Sequence, residues 1–171
     1  CEPRLKALAS FEGVTGDFAT IFERAQPTFK TNYMYMSGHT DAATFDRELA
    51  ERMPLANQVA GIHCPVLVGI GEFDELTPLV DAIANFERIR APKELRVYEN
   101  EFHPLGGVAA EIFRYGAEWL ERVLAGELSE AGRDVRHYVQ RDGTISDGSA
   151  DPRWWLGQVP PAIAQVRKSE D

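Results

Sequence analysis

An aspartate and a histidine each stand in a short polar loop that directly follows an apolar stretch of this sequence. Asp74 lies in "VGIGEFDELTP" (68–78), and His103 lies in "NEFHPLGG" (100–107). Histidine is the commonest general base in enzymes, and a carboxylate that accepts a hydrogen bond from one ring nitrogen fixes the tautomer and stabilises the imidazolium. We therefore predict that Asp74 orients His103 for proton transfer.

The sequence leaves open which carboxylate is the acid, and it also allows non-catalytic roles for Asp74 and His103. Glu72 and Glu75 share the loop with Asp74, and either could supply the acid instead. Aspartate is also a common turn-former, and a histidine after a strand can be structural or solvated. The catalytic interpretation depends on the two loops lying side by side.

Both loops follow segments that have the pattern of buried strands. Residues 65–71 form a continuous apolar, β-branched run, as in a parallel strand covered on both faces, and residues 94–100 alternate Leu95 and Val97 with polar positions. Consecutive parallel strands are usually neighbours, and ligands gather beyond their carboxyl ends. We therefore expect the two loops to meet at one edge of a sheet.

Helical patterns alternate with these strands. Residues 78–89 predict a helix with Pro78 in its first turn, and residues 107–126 predict a longer helix that stops at Gly126. The predicted inward positions are Val80, Ile83, Ala84 and Phe86 in the first helix, and Val108, Ile112, Trp119 and Val123 in the second. With a short strand in 5–14, this order indicates an α/β fold with a parallel sheet flanked by helices.

The region between the first two strands is helical in pattern, and the end of the chain differs from the rest. Residues 17–53 contain two apolar helical stripes, the second with Thr40 or Asp41 as its N-cap. Residues 127–171 contain a turn at "RDGT", a Gly/Ser/Asp stretch and the pair Trp154-Trp155. We expect this tail to be an extension that packs its tryptophans on the main body or on a partner.

The composition excludes several classes of partner. A formal net charge of −9 disfavours nucleic acids and anionic membranes, which need a cationic face. Cys1 and Cys64 form no disulfide framework, so a reducing, cytoplasmic setting is expected. We expect no metal and no cofactor, since no His/Cys cluster has metal-ligand spacing.

The segment around Asp74 resembles a known family. "HCPVLVGIGEFDELTP" (63–78) matches the strand and acid loop of the α/β-hydrolases, whose catalytic histidine follows the last strand as His103 does. "CEPRLKALASFEG" (1–13) resembles the segment after the nucleophile helix in a subgroup that includes pseudooxynicotine hydrolase, polyketide-shortening hydrolases and the fermentation-respiration switch protein. The resemblance implies a hydrolase core at 1–16 and 59–126, a helical cap at 17–58 and an extension at 127–171.

One part of the family pattern is missing from the sequence. The nucleophilic serine of these enzymes stands in a Gly-x-Ser-x-Gly turn, and neither "MSGHT" (36–40) nor "TISDGS" (144–149) has the flanking glycines. The resemblance implies that the serine and the oxyanion donors precede Cys1, on an N-terminal portion that is a separate chain or a missing segment. Cys1 itself could instead be the nucleophile, with its free amine as the base.

The cap region supplies candidates for a substrate pocket, which is generally lined by apolar and aromatic side chains. These candidates are Phe18, Phe22, Tyr33, Met34, Tyr35, Met36 and His39. They are as well suited to a plain helical core; as pocket residues they would favour a bulky, partly aromatic or polyketide-like substrate. Two functions therefore compete: hydrolysis of an ester or of a ketone-adjacent C–C bond, and a non-catalytic binding or assembly module. Both imply a hetero- or homo-oligomer, because an exposed sheet edge needs cover.

Overall fold

A five-stranded sheet forms the centre of the molecule. The computed structural model describes residues 2–11, 13, 21–22, 25–53, 58–128 and 134–148. The strands lie in chain order; the first four are parallel and the fifth is antiparallel to the fourth. Their bounds are β1 Leu8–Phe11, β2 Val66–Gly71, β3 Lys93–Tyr98, β4 Asp134–Val139 and β5 Ile145–Asp147. This confirms the predicted α/β fold and the adjacency of the strands before the two polar loops.

Two helices cover the two faces of the sheet. Helix α3 (Leu79–Arg88) packs on an apolar cluster that includes Val68, Leu95 and Val97, and helix α4 (Ala109–Leu124) packs on the opposite face. A 3-10 turn, Gly106–Val108, leads into α4. Both helices present an apolar stripe to the sheet, which is why they form layers on it.

The predicted inward face of α3 is partly wrong. Val80 is 68% exposed and Ala84 is also exposed, whereas Leu79, Ala82, Asn85 and Phe86 are buried. The buried residues repeat at intervals of three and four from Leu79. The buried face of the helix therefore starts one residue earlier than the predicted face, which starts at Val80. Phe86 is inward in both cases and anchors α3 on the sheet.

Strands β4 and β5 were not predicted from the sequence. Residues 134–148 of the predicted extension join the same sheet, and β4 pairs with β3 along its whole length. The turn predicted at 141–144 connects them, with the Gly143 amide donating to the Gln140 carbonyl. The pair Trp154-Trp155 lies outside the described residues.

Two of the described helices lie between β1 and β2, in the part of the chain predicted to be the cap. Helix α1 spans Pro27–Met36 and helix α2 spans Ala42–Arg52. Asp41 is the N-cap of α2, since its carboxylate accepts a 2.7 Å hydrogen bond from the Thr44 amide. None of the described helices has the length and apolarity needed to span a bilayer.

Candidate active site

Asp74 is held in place by hydrogen bonds within its own loop. Its side chain is only 2% exposed, and Oδ1 accepts hydrogen bonds from the amides of Leu76 (2.9 Å) and Thr77 (2.7 Å). These bonds form the turn that follows β2 and aim Oδ2 away from the turn. One carboxylate oxygen therefore builds the loop while the other remains for a partner.

That partner is His103. The distance from Asp74 Oδ2 to His103 Nδ1 is 3.1 Å, and the imidazole is 22% exposed. Because an ionised carboxylate only accepts hydrogen bonds, Nδ1 carries the proton, and Nε2 of the neutral ring has a free lone pair. This is the arrangement that a general base requires.

The two loops touch through their backbones as well. The Phe73 amide donates to the Glu101 carbonyl at 2.9 Å, and a Cβ on Gly71 would lie 2.5 Å from that carbonyl oxygen. A side chain at position 71 would push the loops apart, so glycine permits their close approach. Main-chain contacts thus contribute to the spacing of Asp74 and His103.

Two residues near His103 have left-handed backbone conformations. Asn100 has a φ of 55° and Leu105 a φ of 60°. Leu105 is fully buried in the cluster that includes Tyr98 and Ile112, so packing holds its backbone in this conformation. Such conformations persist where the surrounding structure over-determines them, and they are enriched at functional sites.

The other two carboxylates of the acid loop do not contact the imidazole. Glu72 is buried, and its Oε2 accepts hydrogen bonds from the Asn100 amide (2.7 Å) and the Tyr138 hydroxyl (2.9 Å). Glu75 is exposed, and its Oε2 accepts a 3.3 Å hydrogen bond from the His103 amide. Both carboxylates connect the loops, and the acid paired with the histidine ring is Asp74. Sequence reasoning gave no role to Tyr138, because its strand was not predicted.

Three of the predicted pocket residues belong to an aromatic cluster in the segment between β1 and β2. The Phe22 ring lies 5.3 Å from Tyr33 and 5.4 Å from Phe45, and the His39 ring lies 5.4 Å from Phe45. Phe22 and Phe45 are buried, so these contacts form a local core between β1 and β2.

The remaining pocket candidates lie nearer the surface or outside the described residues. Tyr35 is 85% exposed, Met36 is 70% exposed and Met34 is half-buried. Phe18 lies outside the described residues. The exposed side chains on α1 are available to a ligand or to another polypeptide.

A cleft of about 300 Å³ separates the start of α1 from the acid loop. Its lining is Ala25, Gln26, Thr28, Phe29, Asn32, Glu75 and Leu76. None of the six predicted pocket residues that the structure describes is in this lining, which combines one aromatic ring with amide, hydroxyl and carboxylate groups. The cleft adjoins the base loop through Glu75 and has the volume of a small-molecule site.

Cys64 lies at the other end of the sheet. A larger cleft of about 450 Å³ at the amino ends of β1 and β2 is lined in part by Leu5, His63 and Cys64. It is separated from Asp74 by the length of β2. Within the described part of the chain, no group of three His, Cys, Asp or Glu side chains has the geometry of a metal site.

One serine does contact a histidine in the cap. Ser37 Oγ lies 2.9 Å from His39 Nδ1, but its hydroxyl donates to the Tyr33 carbonyl at 2.7 Å. With its single proton used there, Ser37 accepts from the His39 ring, which is the wrong direction for base activation. Ser37 therefore caps α1. Among the described residues no hydroxyl or thiol forms a hydrogen bond with His103 Nε2, and Cys1 lies outside them.

Comparison with solved structures gives one informative likeness. The crystal structure of the 2,6-dihydroxy-pseudo-oxynicotine hydrolase aligns with a TM-score of 0.60 and 24% sequence identity, covering 77% of this chain and 37% of that chain. The chain has an α/β-hydrolase-like fold. It spans little more than a third of the length of that protein. No model of a known protein family matches the sequence, and no curated protein does either.

Proposed function

We propose that this chain supplies the acid and the base of a cap-bearing serine hydrolase. Asp74 is the acid and His103 is the base, and the nucleophilic serine comes from an N-terminal portion or partner chain outside these 171 residues. The observation that carries the proposal is the 3.1 Å pairing of a buried, doubly anchored carboxylate with the Nδ1 of a partly exposed imidazole. The α/β-hydrolase-like fold supports it, since the pair stands at the carboxyl ends of β2 and β3.

The reaction follows from the tautomer of His103. Nε2 removes the proton of the serine hydroxyl as the serine oxygen attacks the substrate carbonyl, and Asp74 stabilises the resulting imidazolium. His103 then gives that proton to the leaving group, which is the alkoxide of an ester or the carbanion from a ketone-adjacent C–C bond, as its bond to the acyl carbon breaks. Water, deprotonated in turn by His103, releases the acid from the acyl-enzyme and restores the serine.

The cleft beside Glu75 is the proposed binding place for part of the substrate. A bulky, partly aromatic or polyketide-like molecule carries rings and several hydrogen-bonding groups. Phe29 offers a ring contact, while Gln26 and Asn32 offer amides that both donate and accept hydrogen bonds. The cap and the core loop would then hold the substrate next to His103.

The test combines a serine-directed probe with a matched pair of histidine variants. The natively purified protein is treated with a fluorophosphonate, and the intact mass of every polypeptide present is measured. We expect the label on a serine outside these 171 residues. The His103→Ala variant should lower the labelling rate and turnover about 10⁴-fold or more, because the base is removed. The His63→Ala variant, at the exposed other end of β2, should change neither.

Two outcomes would contradict the proposal. Equal labelling of His103→Ala and the unsubstituted protein would remove His103 from catalysis. Absence of label on every polypeptide would favour the alternative function, a non-catalytic binding or assembly module. A thiol-directed probe that labels Cys1 would point instead to a cysteine nucleophile.

A further inference from the structure

Strand β4 reaches the acid loop through one side chain. Tyr138 is fully buried in the sheet, and its hydroxyl lies 2.9 Å from Glu72 Oε2. Glu72 is two residues before Asp74 in the same loop. The start of the base loop is also tied to this strand, since the Glu99 amide donates to the Val139 carbonyl at 2.9 Å. The pair Asp74–His103 therefore rests on three strands rather than two.

The Glu72 carboxylate joins the acid loop to the base loop. The same Oε2 accepts a 2.7 Å hydrogen bond from the amide of Asn100, whose φ of 55° is left-handed. The Glu72 amide donates to the Tyr98 carbonyl at the end of β3. A buried carboxylate needs hydrogen-bond donors, and it is most sharply oriented when they approach from different elements.

We propose that Tyr138, acting through Glu72, is a positioning residue for the Asp74–His103 pair. The proposal rests on the function proposed above. The Tyr138 hydroxyl holds Glu72 Oε2 where the Asn100 amide can reach it, and this fixes the base loop three residues before His103. Without the hydroxyl, Glu72 turns toward other donors, the Asn100 amide loses its partner, and His103 moves relative to Asp74 Oδ2.

The chain contains a matched control. Tyr98 is also fully buried, on the neighbouring strand β3, and its hydroxyl donates to Glu111 Oε2 at 2.6 Å. Glu111 lies on α4 and forms none of the described bonds of the acid loop. Removing either hydroxyl breaks a tyrosine–glutamate hydrogen bond, and the Tyr98 hydroxyl also accepts a 3.3 Å hydrogen bond from Arg96 Nε. Among these bonds, only the one from Tyr138 leads to His103.

The first experiment measures the loop itself on this 171-residue chain. Amide hydrogen exchange and histidine-selective ¹⁵N spectra are recorded for the unsubstituted protein, Tyr138→Phe and Tyr98→Phe. In Tyr138→Phe we expect about tenfold faster exchange at the Asn100 amide and a changed His103 ring signal, as one hydrogen bond is lost. In Tyr98→Phe both should match the unsubstituted protein.

The second experiment measures turnover in the assembled enzyme. Tyr138→Phe should lower kcat about tenfold with KM unchanged, because the base is misplaced while the binding surface is intact. Tyr98→Phe should keep kcat within about twofold. The proposal is overturned if the two variants change the His103 signal and kcat to the same degree, or if neither changes them.

The two experiments separate this proposal from the function on which it rests. If His103→Ala keeps full activity, the proposed hydrolase mechanism fails. The exchange and ring-signal comparison of the two tyrosine variants still decides whether Tyr138 positions the pair.

Discussion

Strand β3, which delivers His103 at its end, packs against α3 on one face and α4 on the other. The α3 face is apolar: Leu95 and Val97 are fully buried in the main hydrophobic cluster. The α4 face carries Glu94 and Arg96, which are 8% and 2% exposed. One strand is thus held by two kinds of interaction, apolar packing on one face and paired charges on the other.

The α4 face satisfies its charges in a connected network. Arg96 forms a 3.0 Å ion pair with Glu111 and stacks 3.7 Å from the centre of the Tyr115 ring. Glu94 accepts hydrogen bonds from Tyr115 at 2.6 Å and from Trp119 at 3.1 Å. Charged side chains are therefore buried on β3 where each of them has a partner.

Disrupting the charged face should lower the free energy of unfolding the most. Arg96→Met keeps much of the side-chain volume but leaves Glu94 and Glu111 without their cation. We expect a loss of about 3–5 kcal/mol in the free energy of unfolding, measured by urea denaturation. Adding Glu94→Gln and Glu111→Gln should recover part of it, since the uncompensated charges are then gone. No recovery in the triple variant would show that Arg96 acts by packing alone.

Disrupting the apolar face should lower the free energy of unfolding somewhat less, and charge changes should not restore it. Leu95→Ala removes a fully buried side chain from the cluster under α3. We expect the free energy of unfolding to fall by about 3 kcal/mol, because transfer free energy is lost and a cavity is left behind. Urea denaturation again measures it. A loss below about 1 kcal/mol would mean that this face collapses around the cavity.

The smallest expected effect is a pH dependence confined to the charged face. Burial and, after it, the hydrogen bond to Glu94 raise the pKa of Tyr115 to about 12. An unfolded tyrosine ionises near pH 10, so the unfolded state releases this proton first, and stability should fall as pH rises from about 10 to about 12. Urea midpoints across this range measure it.

A single substitution checks the source of that pH dependence. Tyr115→Phe should make the decline shallower without abolishing it, because burial and the hydrogen bond to Glu111 also raise the pKa of Tyr98. An unchanged slope in Tyr115→Phe would assign the whole effect to other groups.

The same contrast explains how far the sequence could be interpreted. Leu95 and Val97 alternate as a half-buried strand should, and the loops after 71 and 98 place Asp74 and His103 together as predicted. Glu94 and Arg96 look solvent-exposed in the sequence, because their burial depends on partners that lie on a distant helix. Pairing across such distances has no local signature.

Strand β4 was missed for a related reason. "DVRHYV" (134–139) mixes charged and apolar residues without clean alternation, and the face that carries Arg136 and Tyr138 meets polar partners. Arg136 lies against Asp134 and the Phe86 ring, and Tyr138 meets Glu72. The cleft beside Glu75 was missed because it joins segments far apart in the chain. The role of Glu72 follows only from its contacts with β4 and the base loop.

The main-chain contact beneath Gly71 has a consequence for recombining this protein with others of similar fold. A Cβ at that position would lie 2.5 Å from the Glu101 carbonyl oxygen, so the acid loop and the base loop fit closely against each other and should be transferred together. A chimera with its crossover between residues 71 and 101 would join loops from different parents that have not been matched. Crossovers before β2 or after the base loop would transfer the acid and the base together, and the segment between β1 and β2 could then be exchanged independently of them.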